Sequence, residues 1–274
     1  MNSRQSSAIL SFRDLHNSGC FLLPNPWDVG SAAYLHHLGF KALATTSAGY
    51  AFSRGQADGA VPRDAMLEHI REIVAATPLP VNADFLAGFA DESEGVAENV
   101  ALCIRTGVAG LSIEDSTGHA TNPLYEEKLA LERIRAARKA IDEAGTPVIL
   151  TARCEAFLVR YPDALQVASR RLAAFAEAGA DCLYAPGLSK PDEIAAIVRA
   201  VTPKPVNVLV SGFNAHLTMA QLADLGVRRI SVGSGLALVA WAAFMRAART
   251  LATNGTFDSF TEAAPFAEIN DFFT

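Results

Sequence analysis

The chain is short of the features that mark several common protein classes. It has no run of lysine and arginine, and its formal net charge is −6, which argues against nucleic acid or an anionic membrane as the main partner. Its longest apolar run, LALVAWAAFM at 236–245, is ten residues, about half of what a bilayer-spanning helix needs. The opening MNSRQSSAILSF has no long apolar segment, so no secretory leader is expected. The four cysteines, Cys20, Cys103, Cys154 and Cys182, are scattered without a C-x-x-C pair, which suits reduced thiols in a cytoplasmic compartment. Only 19% of residues are charged while 50% are hydrophobic, the balance of a globular chain with a large core.

What is present is an alternation of short apolar runs with amphipathic helical patterns. CFLLP, KALATTS, PLPVNAD, VAGLSIED, TPVILTAR, ADCLYAPG, KPVNVLV and VRRISVGSG read as eight strands, each followed by a helix pattern. Asp28 is placed to cap the first of these helices. Gly39, Gly107, Gly145, Gly179 and Gly226 stand where helices would end in a left-handed residue. Repeated βα units favour a parallel sheet covered by helices, and eight of them fit an α/β fold of the (β/α)8 TIM-barrel type better than an open sheet. With no linker or composition break, residues 1–274 read as a single domain. The barrel spans about 20–252, followed by a helical C-terminal extension over about 253–274.

Barrel active sites gather at the C-terminal ends of the strands. Those ends carry Thr46–Ser47, Asn82 with Asp84, Glu114–Asp115, Arg153 with Glu155, and Asn207. Asn82 and Asp84 are two apart in an extended segment and share a face. Asp84, Glu114 and the loop acid Asp58, with Asn82 as a neutral donor, would make an oxygen-only site, which selects Mg²⁺ or Mn²⁺ over zinc. Arg153 can hold a carboxylate bidentately. The small-residue turn Thr46–Ser47–Ala48 brings backbone N–H groups close to a carboxylate or an enolate oxygen. Glu155 shares the Arg153 face and, with Asn207, is read as substrate-facing. Cys154, between Arg153 and Glu155, should turn to the core. His119 is the one histidine near the expected mouth, as a general acid or base or as a solvated loop residue. The GSG at 233–235 is read as a tight turn in preference to a phosphate site.

The ordered strings NPWDVGSA, GFKALATTSAG, LPVNADFLAGF, VAGLSIED, TARCEAF and EAGADCLYAPGL resemble the isocitrate lyase/phosphoenolpyruvate mutase superfamily from about residue 20 to residue 250. The resemblance implies a Mg²⁺-binding (β/α)8 barrel that makes or breaks C–C or C–P bonds of a small 2-oxo or 2-hydroxy carboxylate through an enolate. It also implies a homotetramer, a dimer of dimers that exchanges the last barrel helix. By motif, Asp84, Glu114 and Asp58 take the metal-site acids, Arg153 the substrate arginine, and Thr46, Ser47 and Ala48 the turn that receives carboxylate and oxo oxygens. The chain departs from the family at three points. Asn82 replaces the first D-x-D acid, STGHATNPLYEE lacks the K-K-C-G-H motif, and Pro186 stands where many lyases have glutamate. The expected activity is C–C cleavage of a di- or tricarboxylate. The alternatives are C–P chemistry on a phosphonate, or an oxo-acid-binding protein without turnover.

Overall fold

In a computed structural model, which describes residues 3–274, the chain divides into two compact units, one ending at Gly235 and one running from Leu236 to Thr274.

The first unit is the barrel. Strands β1 (Phe21–Leu23), β2 (Leu43–Ala44), β3 (Val81–Asp84), β4 (Gly110–Glu114), β5 (Ile149–Arg153), β6 (Cys182–Tyr184), β7 (Val206–Leu209) and β8 (Arg229–Ser231) fall within the eight expected runs. All paired strands are parallel, in the order β1-β8-β7-β6-β5-β4-β3-β2. The Ala44 N–H donates to Pro24 O at 3.0 Å, linking the end of β1 to β2 across the remaining gap. Helices α2 (Val29–His37), α4 (Arg63–Ala76), α5 (Ser93–Ile104), α6 (Glu127–Glu143), α7 (Ala164–Glu177), α8 (Pro191–Val201) and α9 (Met219–Asp224) follow successive strands, with a short α3 (Ser47–Ser53) inserted after β2. Asp28 caps α2 in a reciprocal box with Ser31. The five helix-ending glycines all have positive φ. At Gly179 a Cβ would also come within 2.7 Å of the Arg138 side chain.

Helix α6 shows why these segments pack as they do. Ala130, Ile134, Ala137 and Ile141 recur at helical spacing and are buried, and the opposite face is charged. Two helices have no counterpart in the sequence reading: α3, which begins where a small-residue turn was expected, and α1 (Ser3–Asn17). The apolar stripe of α1 is thin, only Ile9, Phe12 and His16 being buried, so its periodicity is weak. Those side chains reach the base of the barrel, where a Cβ on Gly110 would meet Phe12 at 2.8 Å. The strands contribute alternate side chains to the barrel interior, and this parity sets the site.

The second unit contains most of α10 (Gly235–Asn254), a 3₁₀ turn at Asp258–Glu262 and α11 (Phe266–Phe272). Although its unbroken apolar run is only the ten residues 236–245, α10 as a whole is long and apolar enough, by length and composition alone, to cross a membrane. It carries Leu238, Val239, Trp241, Phe244 and Met245 exposed.

Candidate active site

The strand ends enclose a cavity of about 350 Å³. Inward parity brings Asn82 and Asp84 of β3, Glu114 of β4, Arg153 of β5, Tyr184 of β6 and Asn207 of β7 to its wall, joined by Glu155 beyond β5 and Asp58 from the loop after α3. The guanidinium of Arg153 is the hub. Its Nη1 lies 2.8 Å from Asp84 Oδ1, and its Nη2 lies 3.0 Å from both Glu114 Oε2 and Glu155 Oε1. The Tyr184 ring lies 5.1 Å from the same guanidinium. Asp84 is fixed on its other oxygen by the Ser47 N–H at 3.0 Å, and its own N–H donates to Thr45 Oγ1.

Three carboxylates on one guanidinium, with Asp58 nearby, leave an excess of negative charge, and Glu114, Glu155 and Asp58 register it. Burial, opposed by Arg153 and reinforced by the neighbouring acids, pushes Glu114 well above the usual carboxylate range. Burial raises Glu155 to about 7 against the attraction of Arg153. Loss of water on its inner side, with the nearby Asp84 carboxylate, raises Asp58. Burial disfavours the Arg153 charge, but Glu155, Glu114 and Asp84 more than offset it and hold the group cationic. Such a set suits a hard divalent ion, because its donors are all oxygens and an added positive charge would relieve the repulsion. Among the described residues no three acidic, histidine or cysteine side chains stand together as a ready-made metal cluster. Direct ligands would therefore be few, which Mg²⁺ tolerates because it keeps much of its water shell.

The remaining expected residues are distributed as follows. Asn82 lines the cavity, but its Nδ2 donates to Ala83 O, and its Oδ1 is buried without a partner among the described residues. That oxygen lies 2.9 Å from where a Gly110 Cβ would stand. Asn207 lines the cavity with both ends of its amide engaged by Arg229 and Ser231. Thr46 caps α3 through its side chain, its hydroxyl accepting from Gly49 N–H, and Thr46, Ser47 and Ala48 all line the cavity. His119 sits at the exposed tip of the loop between Ser116 and Leu124, which pair as an antiparallel bridge, and its side chain is not part of the cavity wall. Cys154 is buried in the core. At 233–235 the Val232 and Gly233 N–H groups both donate to Asn25 Oδ1, so this segment is a turn tied to β1.

Tyr184, Arg229 and Ser231 are among the wall residues that escaped the sequence reading. The signal was available, since polar residues at alternate positions of CLY and RRIS must face either the barrel interior or the helices. The tertiary fold also supplies a support beneath Glu155. Asp115 Oδ1 accepts the Glu155 N–H at 2.8 Å, and its Oδ2 accepts from Arg171 Nη1 at 3.0 Å. Arg171 Nη2 in turn donates to Tyr125 O. This buried pair ties the end of β4 to the end of β5.

A barrel with a carboxylate-ringed arginine at its mouth narrows the possibilities, and a match to a family model for phosphoenolpyruvate phosphomutase over residues 12–252 decides among them. The chain belongs to the phosphoenolpyruvate phosphomutase family. It is thereby an enzyme of the isocitrate lyase/phosphoenolpyruvate mutase superfamily, whose members are C–C lyases or mutases. A crystal structure of a candidate lyase/mutase from Burkholderia cenocepacia J2315 is 48% identical, covers 99% of this chain and 98% of its own, and superposes with a TM-score of 0.96. Oxaloacetate acetylhydrolase with the product oxalate is 26% identical, with a TM-score of 0.86 over 98% of this chain and 94% of its own. The 2-methylisocitrate lyase of Halalkalibacterium halodurans is 26% identical over 253 residues, 89% of this chain and 82% of that one. The relatives that this chain resembles thus include both a lyase and a carboxyvinyl-carboxyphosphonate phosphorylmutase.

Proposed function

We propose that the protein is a Mg²⁺-dependent lyase that cleaves a C–C bond of a small 2-oxo or 2-hydroxy di- or tricarboxylate through an enolate. The observation that carries this reading is the Arg153 guanidinium held among Asp84, Glu114 and Glu155 at 2.8–3.0 Å, inside a cavity sized for a small acid. Asp84, Glu114 and Asp58 would hold the ion, with Asn82 as a neutral oxygen donor that places one charge fewer in the site. When bound, Mg²⁺ or Mn²⁺ supplies positive charge opposite the oxyanion that develops on the 2-oxo acid.

The protein's own groups do the rest. Arg153 exchanges a carboxylate partner for the substrate carboxylate and orients it. The Ser47 N–H keeps Asp84 in place, and the Thr46–Ala48 turn lies against the developing enolate. Glu155, with its pKa raised to about 7 by burial, can hold or release a proton on its carboxyl near neutral pH. His119 would reach the substrate only through movement of its loop. The exposed apolar face of α10 supports a homotetramer in which this helix is covered by a second copy, and the composition supports a cytoplasmic enzyme without nucleic-acid or membrane partners.

The test is a turnover screen of oxaloacetate, 2-methylisocitrate, related malates and phosphonopyruvate, with Mg²⁺ and with EDTA. C–C cleavage that disappears in EDTA and falls at least ~100-fold in Asp84→Ala is the expected result, the size typical for loss of a group that stabilises developing charge. Activity that survives both treatments refutes the metal assignment. Phosphate release from phosphonopyruvate without C–C turnover would move the protein to C–P chemistry. Oxo-acid binding with no product from any substrate would make it a binding protein.

A further inference from the structure

The seam where the barrel closes is held by a side chain, and the sequence around it explains why. Asn25 stands between Pro24 and Pro26 just beyond β1, and neither proline has an N–H to give to a strand ladder. Each proline also keeps the residue before it extended, which fixes the backbone of Asn25. Strand β2 is only two residues long, and among the described residues β1 and β2 are not paired as strands. The bond from the Ala44 N–H to Pro24 O is joined there by the Asn25 amide. Asn25 Oδ1 accepts the Val232 N–H at 3.0 Å and the Gly233 N–H at 2.9 Å, and its Nδ2 donates to Thr45 O at 2.9 Å. Two N–H donors on one side and a carbonyl on the other leave the amide a single direction. One buried side chain thus fastens the ends of β8, β1 and β2 together.

The contact passes on to the acid at the mouth. Thr45 is fully buried, with its carbonyl held by Asn25 and its N–H donating to Asn82 O at 2.9 Å. Its Oγ1 accepts the Asp84 N–H at 2.9 Å. Two residues on, the Ser47 N–H donates to Asp84 Oδ2 at 3.0 Å. Asp84 is therefore fixed at its backbone by Thr45 and at its carboxylate by Ser47, and both belong to the segment that Asn25 anchors. Removing the amide takes a donor from the buried Thr45 carbonyl and the shared acceptor from Val232 and Gly233. Unmade hydrogen bonds of that kind are costly in a buried wall, so the segment must shift to find other partners.

We propose that Asn25 is a positioning residue of the active site: it closes the barrel mouth between β8 and β2 and, through Thr45, holds Asp84 where it meets the ion and Arg153. This rests on the metal reading above, in which Asp84 is a ligand. Asn25 lines the cavity, but its oxygen and its nitrogen are both committed to the backbone, so it acts through Thr45 and not on substrate.

The experiment is calorimetric titration of the full chain with Mn²⁺ at about pH 7.5, where an aspartate accepting two N–H groups is ionised. Asn25→Ala removes the clamp. Asn25→Asp keeps an acceptor for Val232 and Gly233 but has no hydrogen for Thr45 O, so only the link to Thr45 is broken. Mn²⁺ affinity should fall about ten- to hundredfold in both, the scale for a group that supports a metal ligand. The fall in Asn25→Asp runs against simple electrostatics, because a carboxylate added to the cavity wall attracts a cation. Ile134→Ala, which opens a cavity under helix α6, should lower the Tm and leave Mn²⁺ affinity unchanged. Unchanged or tighter binding in Asn25→Asp would overturn the proposal, as would an equal loss in Ile134→Ala. An unmodified chain that binds no Mn²⁺ would instead bring down the metal reading, and this inference with it.

Discussion

Replacing Glu155 by the isosteric glutamine should change how stability depends on pH in a direction and size that the site dictates. In the folded, metal-free protein the Glu155 pKa lies at about 7, against an ordinary value of 4.5, because burial outweighs the attraction of Arg153. Between those values the native state binds the proton more tightly than the unfolded chain does. Stability from this group is therefore full below about pH 4.5 and is lost as pH rises through 7. At about 1.4 kcal/mol per pKa unit the whole loss is about 3 kcal/mol, most of it between pH 5 and pH 8. His16 works in the opposite sense, because its depressed pKa of about 3 costs stability as pH falls below 6.5. The raw profile is thus a sum of opposing slopes, and the difference between wild type and Glu155→Gln isolates Glu155. Urea denaturation midpoints in EDTA from pH 5 to pH 8 provide the measurement. Glu155→Gln should gain on wild type by about 2–3 kcal/mol across that window. Parallel profiles would show that the Glu155 carboxylate is fully compensated in the native state and refute the reasoning.

Two further substitutions test the frame of the site. Gly110→Ala should lower thermal stability by about 1–3 kcal/mol, because the added Cβ meets Phe12 at 2.8 Å, Asn82 Oδ1 at 2.9 Å and Ile149 O at 3.1 Å, an overpacked barrel base. A calorimetric Tm equal to wild type would place that base elsewhere. Asp115→Ala leaves the buried Arg171 without its carboxylate and should cost about 3–5 kcal/mol, seen as an earlier denaturation midpoint, and any folded fraction should lose turnover because the Glu155 backbone is no longer held.

The strands were legible because an inward-outward alternation bounded by glycine and proline is local information, and every β segment falls inside an expected run. The acids at the mouth were legible for the same reason, since Asn82 with Asp84 and Arg153 with Glu155 share a face by spacing alone. Helix α1 was not, because Ile9, Phe12 and His16 form too thin a stripe to mark a helix without the barrel base they cover. Asn82 shows the limit of motif reading. Its position in the strand was evident, but the direction of its amide depends on Ala83 and on the space above Gly110.

The sequence by itself determined the eight βα units, the face on which Asp84, Glu114 and Arg153 emerge, and the family to which they point, because these follow from periodicity and short motifs. Only the tertiary structure decided how those groups are charged and oriented. Arg153 meets its three carboxylates from three different strand ends, Glu155 acquires its pKa through burial, and Arg229 sets the direction of the Asn207 amide from beneath the cavity. Charge compensation and hydrogen-bond direction depend on neighbours brought together from distant segments, and closure of the barrel is what makes them neighbours.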